Sequence, residues 1–260
     1  MHLVAIVGPE PNLERVLQEH QDAKRRFHFH PVPAGPIKRI LDSLFTLKFA
    51  GALLFDESLQ QSAYPHIDRN NLDAREAEAV DTVTVTQGGT IGEYNQGRAL
   101  GAALRAEGWD GKEAKAVIVG ATPLARAAAR DLSSIGIGHL TVLAENRPKA
   151  EAILEGLAAS TITTARAAND PLIRSLLEQS DLLVRVDPAF EVPDDILGPH
   201  LTVVDFSPEA VSPLRRRALR LGSMTLNLRD IQGHHIASAL HYILGDKIHP
   251  GPFLETLHKL

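Results

Sequence analysis

Residues 115–145, KAVIVGATPLARAAARDLSSIGIGHLTVLAE, decide the fold. Ala116-Val117-Ile118-Val119 is an unbroken apolar run of the kind that forms a strand buried on both faces. Gly120 ends the run, and Thr122-Pro123 supply an N-cap and a first helical residue. Ala125, Ala128, Ala129 and Leu132 give the next helix a small, close-packing face, and Gly136 or Gly138 stops it. Leu140-Thr141-Val142-Leu143 is the second strand, with Glu145 at its end. This is the layout of a dinucleotide-binding βαβ unit, in which the helix N-terminus meets a pyrophosphate and the acid a ribose hydroxyl. The pattern G-x-G-x-x-G/A reads here as Gly120, Thr122 and Ala125. Thr122 puts a side chain where the pattern has none, and Pro123 removes an N–H that could face an anion. Two readings stay open: a nucleotide site, or an ordinary βαβ crossover that binds nothing.

A chain of 260 residues has room for one large domain or two modest ones. Its net charge of −5 gives no electrostatic case for nucleic acid or an anionic membrane. The run Arg215-Arg216-Arg217 is brief and reads as a solvated helix face. Without cysteine there is no disulfide, thiolate nucleophile or cysteine-bound zinc. His2-Leu3-Val4-Ala5-Ile6-Val7 is strand-like and too short to span a bilayer, so a cytoplasmic location is expected. The expected partner is a small molecule, in a monomer or homodimer.

Strands and helices alternate from the start. Residues 3–8 form a strand, and Asn12 is expected to cap a helix reaching about Lys24. Phe27 and Phe29 alternate with His28 and His30 in a second strand closed by Pro31 and Pro33. Ile37 opens a helix with Leu44, Phe45 and Leu47 on its buried side. Residues 51–55 form a third strand, 73–80 a helix, and 82–86 a β-branched strand turned by Gly88-Gly89. An Ala/Leu-rich helix over 95–107 leads into strands near 116–119, 140–143, 161–164, 182–186, 201–206 and 224–227. Helices near 123–135, 147–158, 170–178 and 212–221 connect them, which implies a doubly wound parallel sheet. Two last helices, about 233–244 and 251–259, have no strand after them and are free to return to the first domain. The expected domains are 1–95 with 236–260, and 96–235, with a ligand cleft opposite the strand C-termini.

In this order the chain resembles the shikimate/quinate dehydrogenase family along essentially its whole length. Ala79-Val80-Asp81-Thr82-Val83 resembles the family's AVNTV, and residues 92–104 (GEYNQGRALGAAL) its G-x-N-T-D-G-x-G-F. Residues 117–126 follow VLGAGGAAR, and residues 181–188 (DLLVRVDP) follow DLVVNATP. Phe206-Ser207-Pro208 with Ser212-Pro213-Leu214 resembles Y-x-P…TPLL, and residues 239–245 take the place of AFELWTG. The resemblance implies a two-domain α/β fold: an N-terminal α/β substrate domain and a Rossmann-like nucleotide domain. It also implies an NAD(P)-linked oxidoreductase acting on a small polar or carboxylated alcohol or ketone, shikimate and 3-dehydroshikimate by family analogy.

The family's acid/base lysine and its partner aspartate fall on Leu59 and Gln96. A substrate asparagine falls on Leu53, the asparagine of AVNT on Asp81 and a tyrosine on Phe206. The serine pair that binds a substrate carboxylate has no counterpart in residues 7–11. The late substrate glutamine falls on His235 by counting back from Gly245, or on Gln232 with a gap. Leucine has no proton to give, and glutamine does not titrate near neutral pH. Either the substrate differs or the protein only binds. The candidate catalytic residues are therefore His235 and Gln96, and the candidate substrate residues Asp81, Gln232 and Phe206. His235 is read at a helix start facing the cleft, where histidine is suited to proton transfer near pH 7. The opposing reading is a histidine with no titrating role. Asp81, Asp56 and Glu57 read as cleft carboxylates or as solvated loop acids.

The cofactor would be held by Gly120, Ala121, Thr122, Leu124 and Arg126. Glu145 at the end of the second strand favours NAD, because an acid there repels a 2′-phosphate. A two-residue shift brings in Asn146-Arg147 and restores NADP. No metal site is read: His28 and His30 lack a matching carboxylate, and His234, His235 and His241 offer no i, i+4 pair.

Overall fold

The computed structural model describes residues 1–8, 10–20, 24, 26–209 and 212–260. The chain divides into two units, one of residues 1–96 with 232–260 and one of residues 97–231. This division places Gln232 and His235 with the N-terminal residues, whereas the domain boundary is expected after 235.

The first unit opens with β1 (His2–Val7), α1 (Pro11–Glu19), β2 (Phe27–Val32), α2 (Ile37–Thr46) and β3 (Gly51–Leu54). It continues through α3 (Glu57–Ala63), β4 (Arg69–Asn70), α4 (Leu72–Ala77), β5 (Thr82–Thr86) and β6 (Gly89–Glu93). The six strands form one sheet in the order β2-β1-β3-β5-β6-β4. It is parallel at β2-β1-β3 and antiparallel where β5 pairs with β3 and β6. Several expectations are corrected. Helix α1 starts at Pro11, whose ring suits the first helical position, so Asn12 lies inside the helix and Glu10 precedes it without a side-chain cap. The helix ends at Glu19; Lys24 lies beyond it, and residues 21–23 are outside the described residues. Pro31 does not close β2 but lies within it, which an edge strand tolerates because one side of its backbone needs no ladder partner. Phe45 and Leu47 are 55% and 63% exposed, because the buried stripe of α2 is Ile37, Ile40, Leu41 and Leu44, and Leu47 falls past the helix end. The helix expected over 73–80 stops at Ala77, where Glu78 turns left-handed.

Helix α5 (Gln96–Ala106) follows. The second unit holds β7 (Lys115–Val119), α6 (Pro123–Ser134), β8 (His139–Ala144), α7 (Arg147–Leu154), β9 (Ile162–Ala167) and α8 (Ile173–Glu178). Then come β10 (Leu182–Arg185), β11 (Thr202–Asp205), α9 (Pro213–Arg220) and β12 (Thr225–Asn227). All six strands are parallel, in the order β12-β11-β10-β7-β8-β9. Numbered from β7, this is the doubly wound order 3-2-1-4-5-6 of dinucleotide-binding sheets. Ile118, Leu140, Val142, Leu182 and Val184 pack one face of it against Ala125, Ala128 and Leu132 of α6. Leu143, Leu183 and Val203 pack the other against Leu177, Leu214 and Ala218.

Helices α10 (Leu228–Leu244) and α11 (Gly251–Leu257) end the chain. Helix α10 begins five residues earlier than expected. Ile236, Ala237, Leu240, Ile243, Phe253 and Leu257 complete the first unit's core with Val4, Ile6, Phe27, Phe29 and Leu53. Among the described residues no helix is long and apolar enough to cross a membrane.

Candidate functional site

Asp81 sits where three strands of the first unit meet. Its N–H donates to the Glu93 carbonyl (3.0 Å), and its own carbonyl accepts from the Leu54 N–H (2.8 Å). With the backbone pinned on both sides, the carboxylate is placed as firmly as a ladder residue. It is fully buried. Oδ1 accepts from the Thr82 hydroxyl (2.7 Å), and Oδ2 from the backbone N–H groups of Asn95 (2.6 Å) and Gln96 (3.0 Å). These are the first amides of α5, so a carboxylate from the start of β5 caps a helix beginning fifteen residues later and meets its positive end. Asn95 Nδ2 donates to Thr82 Oγ1 (3.1 Å), tying the second side of the network.

His235 joins this group from α10. Two glycines let that helix pack closely, Gly51 between it and the sheet and Gly233 between it and α11. A Cβ on Gly51 would lie 2.2 Å from the Val83 carbonyl oxygen and 2.8 Å from Ile243 Cγ1, and one on Gly233 would lie 2.4 Å from Leu254 Cδ2. The close approach brings His235 Nε2 to 3.3 Å from Asp81 Oδ2. The imidazole is 3% exposed and meets Phe55 edge-on at 6.3 Å between ring centres. Nε2 is off the line of a hydrogen bond and has no hydrogen-bond partner among the described residues; neither has the buried Asn95 Oδ1. The solvated reading of Asp81 is therefore wrong: like His235, it is interior.

Asp56 is also not a simple loop acid. It caps α3, accepting from the Leu59 N–H (3.0 Å) and from the Ser58 hydroxyl, and the Ser58 bond above all lowers its carboxyl below the ordinary value. Burial, and then the Asp56 charge, raises Glu57. Tyr94, completely buried, is pushed well above its ordinary value by burial first and by the Asp81 and Glu57 charges after it. No spacing rule in the sequence marks Tyr94, Thr82 or Asn95 as members of this cluster. Leu59 is half-buried, its Cδ1 2.9 Å from where a Cβ on left-handed Gly8 would stand. Gln96 touches Asp81 only through its backbone in the bonds described above. Gln232 is half-buried on α10, three residues before His235.

The remaining candidates lie in the second unit. Phe206 is part of its core. Gly120 has φ +124°, and a Cβ there would stand 3.2 Å from Val186 Cβ and 3.3 Å from the Asp187 backbone nitrogen, so the turn requires glycine. Thr122 is the N-cap of α6, accepting from the Ala125 N–H (3.3 Å), with Pro123 as first helical residue and Leu124 buried behind it. Ala121 is exposed at the tip of the turn. The Arg126 guanidinium donates to the Ala152 carbonyl of α7 (3.2 Å). Glu145 directly follows β8 and pairs with Lys149, whose hydrogen bond lowers its carboxyl below the ordinary value. Asn146 caps α7, accepting from the Lys149 N–H (3.0 Å), and Arg147 pairs with Glu151 (2.8 Å). A glycine turn, a helix N-terminus and an acid closing the next strand can cradle a diphosphate and a ribose diol.

A structural ion pair completes the end of this sheet. Arg185 at the end of β10 makes a fork with Asp205 at the end of β11 (3.0 and 2.8 Å), both buried, and reaches the carbonyls of Pro188 and Phe190.

No protein-family model matches the chain. The shikimate dehydrogenase (NADP+) of Desulforamulus reducens is 29% identical over 215 residues, covering 77% of this chain and 72% of that protein. Among solved structures, quinate dehydrogenase from Corynebacterium glutamicum in complex with NAD superposes with a TM-score of 0.85 at 20% identity, covering 100% of this chain and 99% of the other. Shikimate 5-dehydrogenase from Listeria monocytogenes in complex with shikimate and NAD gives 0.82 at 18% identity, covering 98% and 96%. By sequence the chain is similar to shikimate dehydrogenase, and its fold is that of the shikimate and quinate dehydrogenases.

Proposed function

We propose that this protein is an NAD(P)-linked oxidoreductase acting on a small polar alcohol or ketone, with His235 as its acid/base group. The observation that carries the reading is the contact between His235 and the buried, pinned Asp81. Leu59 and Gln96 supply no proton at the positions assigned to the relatives' acid/base pair, whereas imidazole beside a carboxylate does. The relatives' names point to shikimate as a substrate, and the family resemblance to 3-dehydroshikimate as its oxidised partner. General acid–base catalysis contributes about 10²–10⁴-fold, so a chain lacking the relatives' pair should turn that couple over slowly.

The nicotinamide group, when bound, supplies the hydride donor or acceptor. Gly120, Ala121, Thr122 and Leu124 would meet its diphosphate at the N-terminus of α6, in a turn that glycine lets pass close to Val186 and Asp187. Glu145 would hold a ribose diol and favours NAD, its charge maintained by Lys149. Asn146 and Arg147 are the alternative contacts for a 2′-phosphate. Arg126, engaged with Ala152, would steady α7 behind them. Calorimetric titration with NAD, NADH, NADP and NADPH tests the reading. Binding of one pair in the micromolar range supports it, and no binding of any of the four at millimolar concentration removes it.

A second reading, a binding protein without chemistry, is favoured by the turn itself. The Thr122 hydroxyl already takes the Ala125 N–H, and Pro123 has none to offer. On that reading Thr122→Gly with Pro123→Gly raises dinucleotide affinity in a protein that otherwise binds none.

A further inference from the structure

We propose that a cavity between α10 and the chain that follows it binds a small phosphate monoester carrying an apolar group. The cavity lies wholly within the first unit, and its occupancy does not depend on the reaction proposed above.

Helix α10 stops just before Gly245, whose N–H donates to the His241 carbonyl (2.8 Å). The chain then returns beside the last turns of the helix, where His241 Nδ1 donates to the Asp246 carbonyl (3.0 Å). A cavity of about 360 Å³ opens between the two, within the size range of small-molecule sites. His234, Ser238 and His241 line it from α10, at spacings of four and three residues that share one helix face. Lys247 lines it from the returning chain. The apolar part of the wall is Ala237, Ile248 and Pro250, of which Ala237 and Ile248 also pack on the first unit's core.

No acid lines this cavity. The acid next to Lys247 in sequence, Asp246, turns its carboxylate to Arg26 (3.7 Å). Lys247 is exposed and has no ion-pair partner among the described residues, so its ammonium is a point charge of the kind that binds phosphate. Ser238 is also uncommitted. The hydroxyls of Ser43 and Thr256 each donate to the carbonyl four residues back in their helices. That of Ser238 makes no such bond and has no hydrogen-bond partner among the described residues. Because His241 Nδ1 faces a carbonyl, it carries a proton, and Nε2 is the nitrogen left for a ligand. Neutral, Nε2 accepts a hydrogen bond; charged, it donates one. A phosphate monoester, with a second pKa of about 6, offers a P–OH in one form and only acceptor oxygens in the other, so it satisfies either state. A carboxylate at neutral pH has no proton for the neutral ring. An apolar group on the ester would cover Ala237, Ile248 and Pro250.

The test titrates phenyl phosphate, inorganic phosphate, benzoate and benzyl alcohol into the full chain at about pH 7, following the histidine ring signals by nuclear magnetic resonance. Phenyl phosphate should shift the His234 and His241 signals saturably, at least threefold more tightly than inorganic phosphate or benzoate and at least tenfold more tightly than benzyl alcohol. Because Lys247 is exposed, Lys247→Met should keep the fold, and it should weaken phenyl phosphate at least fivefold while Lys247→Arg restores most of the loss. Ser238→Ala should weaken it at least twofold. Reading His234 and His241 separates this cavity from the turn before α6, which lies in the other unit. No saturation of these two signals by about 20 mM phenyl phosphate overturns the proposal. So does binding of inorganic phosphate, benzoate or benzyl alcohol as tight as that of phenyl phosphate, or an affinity that Lys247→Met leaves unchanged.

Discussion

Asp81 does two jobs, closing the start of α5 and standing against His235, and single substitutions should separate them. Asp81→Ala strands the Asn95 and Gln96 amides and the Thr82 hydroxyl in the interior. Unmet buried groups cost about 1–3 kcal/mol each before relaxation, so a loss of about 3 kcal/mol is expected from urea denaturation. His235→Gln keeps a polar side chain of similar reach and removes proton exchange. With any substrate the protein turns over, kcat should fall about 10²–10⁴-fold while dinucleotide affinity stays unchanged. Loss of dinucleotide affinity instead would make His235 a structural residue. The sequence singled out His235 by counting back along one helix from Gly245, a distance helical geometry preserves. It could not show that Asp81 is buried or what it bonds. Its partners at 95 and 96 come from the return of β6 beside β5, and its backbone contacts with Leu54 and Glu93 depend on ladder register. A lone acid before a β-branched strand reads as solvated until that register is known.

At the level of elements, α3 is a seven-residue helix that relies on its cap. Asp56→Ala should cost about 1 kcal/mol at neutral pH, as other N-cap removals do. The folded carboxyl is held below its ordinary value of 3.8, so its contribution is present above that value and fades as pH falls through the lower folded one. The gap in urea midpoint between the two proteins should accordingly be full at about pH 6 and shrink towards about pH 3. A constant gap would show that the cap acts through packing and not through its charge. Gly120→Ala is the matching test in the second unit. At φ +124° and with Val186 and Asp187 within 3.3 Å, it should destabilise that unit by about 1–3 kcal/mol and weaken any dinucleotide binding more than tenfold. The βαβ unit was legible because its buried strands, its Thr-Pro start and its acid are all local signals. Helix α3 and the two-residue strand β4 were not read, because each is short and held by contacts distant in sequence. Asp68 shows the kind of contact: it accepts from the Thr90 N–H (2.7 Å), twenty-two residues away. Phe45 misled the reading of α2 by its size, since one residue beyond Leu44 turns the side chain some 100° off the buried stripe.

For the molecule as a whole, the two units differ in how their cores are assembled. The second is closed by a continuous stretch, residues 97–231, and its strand order follows the run of crossovers that the sequence displays. The first is closed by both ends of the chain. Phe253, near the C-terminus, is 2% exposed and sits in an aromatic group with His20, Phe27 and Phe29. Two final helices with no strand after them mark this segment in the sequence as free to return to the first domain, though they do not show which side chains it buries. Residues of the first unit must therefore wait for residues 232–260 before their core is complete. Truncating one of those late side chains should weaken that unit selectively. Phe253→Ala removes a buried ring and should cost about 3–5 kcal/mol. Scanning calorimetry should then show a transition lowered by several degrees for the first unit. Near-ultraviolet signals from Trp109, the chain's only tryptophan and a residue of the second unit, should melt at the temperature seen in the unaltered protein. Asp205→Ala is the converse variant. It leaves the Arg185 guanidinium buried without its carboxylate, a loss of about 3–5 kcal/mol in the second unit, and should lower the Trp109 transition first. If both variants lower every signal together, the units unfold as one cooperative body. If each lowers only its own, the chain is two folding units, the first of them completed last by the C-terminal segment.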